Sequence, residues 1–87
     1  MPYKVIIPPH VQKQIAKFHP ALKQKIRAAL DDLAIDPHQG KALKEDLVGL
    51  YSYRVTRYRI IYSIHRNVLE VHVIAIGDRR RIYQETL

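Results

Sequence analysis

Pro20 constrains the fold of this chain more than any other residue. Val11, Ile15 and Phe18, then Leu22, Ile26, Ala29, Leu30 and Leu33, recur three and four residues apart, so one apolar stripe at helical spacing spans positions 11 to 33. Inside a helix, proline removes a hydrogen bond and clashes with the preceding turn; at the first helical position its missing N–H is no loss. The stripe therefore predicts two helices, 9–18 and 20–35, the second stopped by Asp36-Pro37. Such a hairpin has one face to bury and cannot hide it alone.

The partner it needs is legible further on. Leu50 to Thr56, Tyr58 to Ile64 and Val68 to Ile76 are rich in β-branched and aromatic residues, with His65-Arg66-Asn67 as a turn between the last two. Tyr3 to Pro8 reads as a first strand closed by Pro8-Pro9, and Pro37 to Gly49 as a polar connection punctuated by Gly40 and Gly49. Gly77-Asp78 ends the last strand, leaving a tail from 79 to 87 that is irregular or a final helical turn. With 87 residues there is room for one domain, 1–87, and a modest core. The expected fold class is α+β: a two-helix hairpin on one face of a small, mostly antiparallel four-stranded sheet.

Strand parity then sorts the side chains. Tyr51, Tyr53 and Val55, then Tyr58, Ile60, Tyr62 and Ile64, then Leu69, Val71, Val73 and Ala75 should face the helices. Ser52, Arg54, Thr56, Arg57, Arg59, Ile61, Ser63, His65, Glu70 and His72 take the other face, edged by Arg79, Arg80 and Arg81. Seven of the eight arginines lie from position 54 onward, whereas all seven lysines lie at or before position 44. Arginine presents a rigid fork of donors that matches phosphate oxygens two at a time, where lysine offers a mobile point charge. A net charge of +7 raises the potential toward polyanions, and nucleic acid is the first partner to consider. Arg66, in the turn, contributes field alone.

Other chemistries find little support. The chain has no cysteine, and His10, His19, His38, His65 and His72 are spread over different elements, so neither a metal nor a cofactor is expected. Asp31-Asp32 and Glu45-Asp46 read as solvated charge. No apolar run suits a membrane span or a signal peptide, and the expected location is the cytoplasm. Arginines with a tyrosine suit one reaction, cleavage of RNA by its own 2′-hydroxyl, because the substrate supplies the nucleophile and arginines neutralise the charge growing on the phosphate. Tyr83 could stack on a base, orient that hydroxyl or exchange a proton with it.

Three segments carry a resemblance: Tyr51-Ser52-Tyr53-Arg54-Val55, Arg57-Tyr58-Arg59-Ile60-Ile61-Tyr62 and Gly77-Asp78-Arg79-Arg80-Arg81-Ile82-Tyr83. In order and spacing they resemble the RelE/ParE superfamily of toxins from bacterial and archaeal toxin-antitoxin pairs, with the RelE-like branch favoured. The resemblance implies a metal-independent mRNA endoribonuclease, an mRNA interferase that acts on messages at the ribosome and is silenced by a cognate antitoxin. It implies catalytic roles for Arg54 (basic residue of its strand), Arg59 (phosphate binding), Arg79 (transition-state stabilisation) and Tyr83 (substrate orientation), with Arg57, Arg80 and Arg81 as RNA-binding residues. Ser52 departs from the pattern, since RelE-type enzymes often carry a second lysine there. Two alternatives stay open: a ParE-like inhibitor of DNA gyrase without nuclease chemistry, and a catalytically silent RNA-binding relative.

Overall fold

The computed structural model describes residues 2–78. Pro20 does open a helix: α1 spans Pro9–Ala16 and α2 spans Pro20–Ile35, each with proline in its first turn. His19 caps α2, its Nδ1 accepting from the Ala21 N–H at 3.2 Å. α1 ends two residues earlier than the apolar stripe suggests. The residue before a proline is pushed out of helical geometry, and the N–H groups of Lys17 and Phe18 instead make tighter bonds to the carbonyls of Gln14 and Ile15. No helix among the described residues is long and apolar enough to cross a membrane.

The sheet has five strands: β1 (Lys4–Ile6), β2 (Lys41–Ala42), β3 (Leu50–Val55), β4 (Tyr58–His65) and β5 (Glu70–Asp78), in the order β1-β5-β4-β3-β2. β1 runs parallel to β5, and the other pairings are antiparallel. The strand not expected from sequence is β2, two residues long inside the polar connection. Both helices cover one face. Val11 and Ile15 of α1 and Ile26, Ala29, Leu30 and Leu33 of α2 pack with Val55, Ile60, Tyr62, Val71, Val73 and Ile76 of the sheet.

Parity holds for β3 and β4 but slips in β5. Ile61 opposes Ala75 while Tyr62 opposes Val73, so Ile74 is an extra residue, a β-bulge. Val71 and Val73 face the helices as expected. Beyond the bulge the sides exchange: Ile76, 3% exposed, enters the core, and Ala75, expected inward, joins the opposite face. Leu69, also expected inward, sits in the β4–β5 turn at φ 54° and is largely exposed.

Tyr62 ties the sheet to the connection after α2. Its fully buried hydroxyl donates to the Pro37 carbonyl at 2.6 Å and accepts from the Gly40 N–H at 3.1 Å. Gly40 is required for space rather than for its backbone angle: a Cβ there would collide with the Tyr62 hydroxyl and lie 3.0 Å from the Ser52 carbonyl oxygen. Burial pushes the Tyr62 pKa up from 10.0 to about 12. An unfolded phenol ionises near ~10. Between these values the unfolded chain therefore binds fewer protons, and stability falls as pH rises through the window.

Two outcomes follow, both measurable by urea melts. Tyr62→Phe should cost about 1–3 kcal/mol at neutral pH, by leaving the buried Pro37 carbonyl and the partly buried Gly40 N–H without this partner, and should lose less further stability than the wild type between pH ~10 and ~12. Gly40→Ala should cost about 1–3 kcal/mol through overpacking. Wild-type stability in Gly40→Ala would show that the Tyr62 hydroxyl does not hold this segment.

Candidate nucleic-acid interface

The face of the sheet turned away from the helices is built by register. Leu50, Ser52 and Arg54 of β3 stand opposite Ser63, Ile61 and Arg59 of β4, and Arg59, Ile61, Ser63 and His65 stand opposite Gly77, Ala75, His72 and Glu70 of β5. Residues directly opposed across antiparallel strands share a face, with Cβ atoms about 5 Å apart. Arg54 and Arg59 are such a pair.

Each arginine is held differently. The Arg54 Nε donates to the Thr56 carbonyl at 2.9 Å, across the two-residue turn that joins β3 to β4. Thr56 sits at φ 55°, an uncommon conformation for a β-branched residue, and its carbonyl is the group that fixes the Arg54 guanidinium. Arg59 lies half-buried, its Nη1 donating to the Ser52 Oγ at 3.4 Å, while its Nε is buried without a partner. The two side chains leave the same face side by side, the Arg54 guanidinium bonded toward the turn and the Arg59 guanidinium toward Ser52, so that an anion on this face meets donors from both. Among the described strand residues of this face, Glu70 is the one carboxylate, and it lies at the far end opposite His65.

Arg57, assigned by parity to the same face, is elsewhere. It occupies the turn, is exposed, and its guanidinium lies 5.5 Å from the centre of the Tyr58 ring, which packs toward Phe18 and the helices. Hydrogen bonding to Tyr58, with smaller effects from the charges of Tyr58 and Asp78, raises its pKa further. Arg66 is also apart from the pair, donating to the His38 Nε2 at 2.7 Å. Arg79, Arg80, Arg81 and Tyr83 lie outside the described residues. The strand leading to them ends beside the arginine pair, for Gly77 is the residue opposite Arg59.

Two features of this face escape a reading of the sequence. Lys41, in the unexpected strand β2, is directly opposite Ser52. At the other end, roughly 20 Å along β4 from Arg59 at strand spacing, His65 and His72 stack with ring centres 4.0 Å apart. Ser63 Oγ lies 2.9 Å from the His65 Nε2, and His72 Nε2 lies 2.9 Å from the Glu70 Oε1, which together lock the pair. The signal available was that both histidines flank one turn with outward parity; the stacking itself depends on the β4–β5 register.

The helix pair, the sheet order and the arginine pair can be set against known proteins. A family model described as the ParE toxin of the type II toxin-antitoxin system parDE matches residues 5–83. Toxin RelE of Mycobacterium tuberculosis is 33% identical over 89 residues, an overlap of 95% of this chain and 88% of that protein. Toxin RelG of the same organism is 30% identical over 86 residues, covering 97% and 99% respectively. Among solved structures, the toxin-antitoxin complex RelBE2 from Mycobacterium tuberculosis contains a chain that superposes with a TM-score of 0.81 at 26% identity, over 91% of this chain and 93% of that one. Sequence and fold thus agree: the chain belongs to the RelE/ParE superfamily, on its RelE-like side, and is the toxin of a toxin-antitoxin pair.

Proposed function

We propose that the protein is a metal-independent mRNA endoribonuclease that acts in the cytoplasm on messages held by the ribosome and is silenced by a cognate antitoxin. The observation that carries this reading is the pairing of Arg54 with Arg59 on a sheet face whose near end bears no carboxylate among the described residues. An RNA phosphate on this face accepts from both arginines and is neutralised by them. As the neighbouring 2′-hydroxyl attacks phosphorus, it loses its proton. The 5′-oxygen leaves with the bonding electrons and takes up a proton, giving a 2′,3′-cyclic phosphate and a 5′-hydroxyl. Charge on the phosphoryl oxygens is greatest midway, where fixed arginine donors stabilise it most.

In this reading Arg54 and Arg59 bind the scissile phosphate. Arg79 stabilises the transition state, Tyr83 orients the 2′-hydroxyl, and Arg80 and Arg81 hold flanking RNA. Arg57, in the turn at the same end of the sheet, contributes to RNA capture from outside the pair. The antitoxin partner is supported by the solved relative, which is a toxin-antitoxin complex.

Cleavage is tested by incubating the protein with translating ribosomes and defined mRNA in excess EDTA and mapping the ends produced. Cutting should persist without free metal and stop when a 2′-deoxynucleotide occupies the cut site. Intact mRNA together with accumulated gyrase-linked DNA breaks would instead assign the ParE-like activity. Arg59→Gln, Arg79→Ala and Tyr83→Phe should each lower the single-turnover rate by about 10²–10³-fold or less, and by more than they weaken binding. Equal losses in rate and affinity would reduce these residues to RNA anchors.

A second outcome concerns stability. An RNA oligonucleotide at about 100 times its dissociation constant should stabilise the fold by about 2.7 kcal/mol. At fixed RNA concentration that gain should fade as salt rises from about 50 to about 200 mM. Thermal melts of wild type and Arg54→Gln read it directly, and an undiminished gain in the variant would remove Arg54 from the interface.

A further inference from the structure

We propose that Lys41 is a third cation of the RNA-contacting face, reaching the phosphate held at Arg59 from the edge strand β2; the assignment rests on the nuclease reading above. Lys41 and Ser52 are directly opposed, so the lysine side chain leaves the sheet on the arginine face. Ser52 stands between it and the arginine that bonds the serine hydroxyl. It is 2% exposed, and the residue beyond it, Ile61, is fully buried. A small residue at 52 leaves the long stems of Lys41 and Arg59 free to converge over it from opposite sides. The serine that departs from the toxin pattern is thus the neighbour of a lysine supplied by another strand.

The backbone around Lys41 is anchored, although its strand is only two residues long. Gly40, just before it, donates to the buried Tyr62 hydroxyl, and Leu43, two residues on, donates from its N–H to the Leu50 carbonyl at 2.9 Å. The side chain itself is exposed. A flexible ammonium on a fixed base suits a phosphate as a point charge, whereas the paired arginines fix its orientation. Edge strands also use lysine to block pairing with other chains, which alone accounts for a charge at this position. The Arg59 Nε, buried and unpartnered across Ser52, is the second sign that the charge set at this spot is incomplete without a ligand.

The test compares wild type with Lys41→Gln, Lys41→Arg and Lys13→Gln, the last removing the same charge from α1, in the layer behind the sheet. Single-turnover cleavage of mRNA on translating ribosomes is measured alongside binding of an RNA that is 2′-deoxy at the cut site, the binding across a salt series. Lys41→Gln should slow cleavage at least tenfold and reduce the slope of log affinity against log salt by about 0.7, the share of one phosphate contact on single-stranded RNA. Lys41→Arg should keep most of both, and Lys13→Gln should change the rate by less than twofold. Equal effects of Lys41→Gln and Lys13→Gln would overturn the assignment in favour of general field. Wild-type cleavage and slope with increased self-association in Lys41→Gln would overturn it in favour of edge protection. Wild-type protein that neither binds the 2′-deoxy RNA nor cuts mRNA on translating ribosomes would sink the nuclease reading and the role of Lys41 with it, which a Lys41-specific failure would not.

Discussion

The hydroxyl of Tyr62 is the contact on which the arrangement of this protein turns. It lies in the centre of the sheet, fully buried, and pairs with the carbonyl of Pro37 and the N–H of Gly40. Those two bonds bring the chain leaving α2 back against the sheet edge. They act together with the buried Pro37 ring and the Leu43 N–H bonded to the Leu50 carbonyl, since the side chains of Lys41 and Ala42 are both exposed. One polar group at the core therefore helps to seat the edge strand, and with it the row Lys41, Ser52, Ile61 across the outer face. The cost of burying a phenol is offset because both available partners are fixed by the backbone.

The two faces of the sheet answer to different physics. Toward the helices, apolar side chains from both layers exclude water, and the interaction is non-directional, so beyond the bulge at Ile74 it is Ile76 rather than Ala75 that fills the core. On the outer face the interactions are directional. Arg54 is held through Thr56, Arg59 through Ser52, His65 through Ser63 and His72 through Glu70. A face built this way presents charge in fixed positions, as the proposed stabilisation of a phosphate would require. The same holds for Thr56, whose positive φ is tolerated where a carbonyl must be aimed at an arginine.

Particular residues show why the site was half legible. Arg54 and Arg59 were placed together by parity because both strands are regular between Leu50 and Ile61, and a period of two needs no tertiary information. Arg57 broke the same rule: it belongs to the turn, where strand alternation has no meaning, and its guanidinium went to the Tyr58 ring. Ser52 stands where the family pattern often has a second lysine, and a linear motif shows neighbours along the chain only. Its neighbour in space is Lys41, eleven positions earlier, in a segment whose polar composition carries no strand signal.

Local chemistry along the chain was enough to determine the helix pair, the three long strands, the layer arrangement and the arginine face, since periodicity and proline geometry act within a few residues. Tertiary structure alone decided the parallel seat of β1 beside β5, the bulge that exchanged Ala75 for Ile76, and the edge strand that brings Lys41 to Ser52. Each of these depends on contacts between segments far apart in sequence, where pairing is chosen by which buried groups find partners rather than by the preferences of the residues that pair.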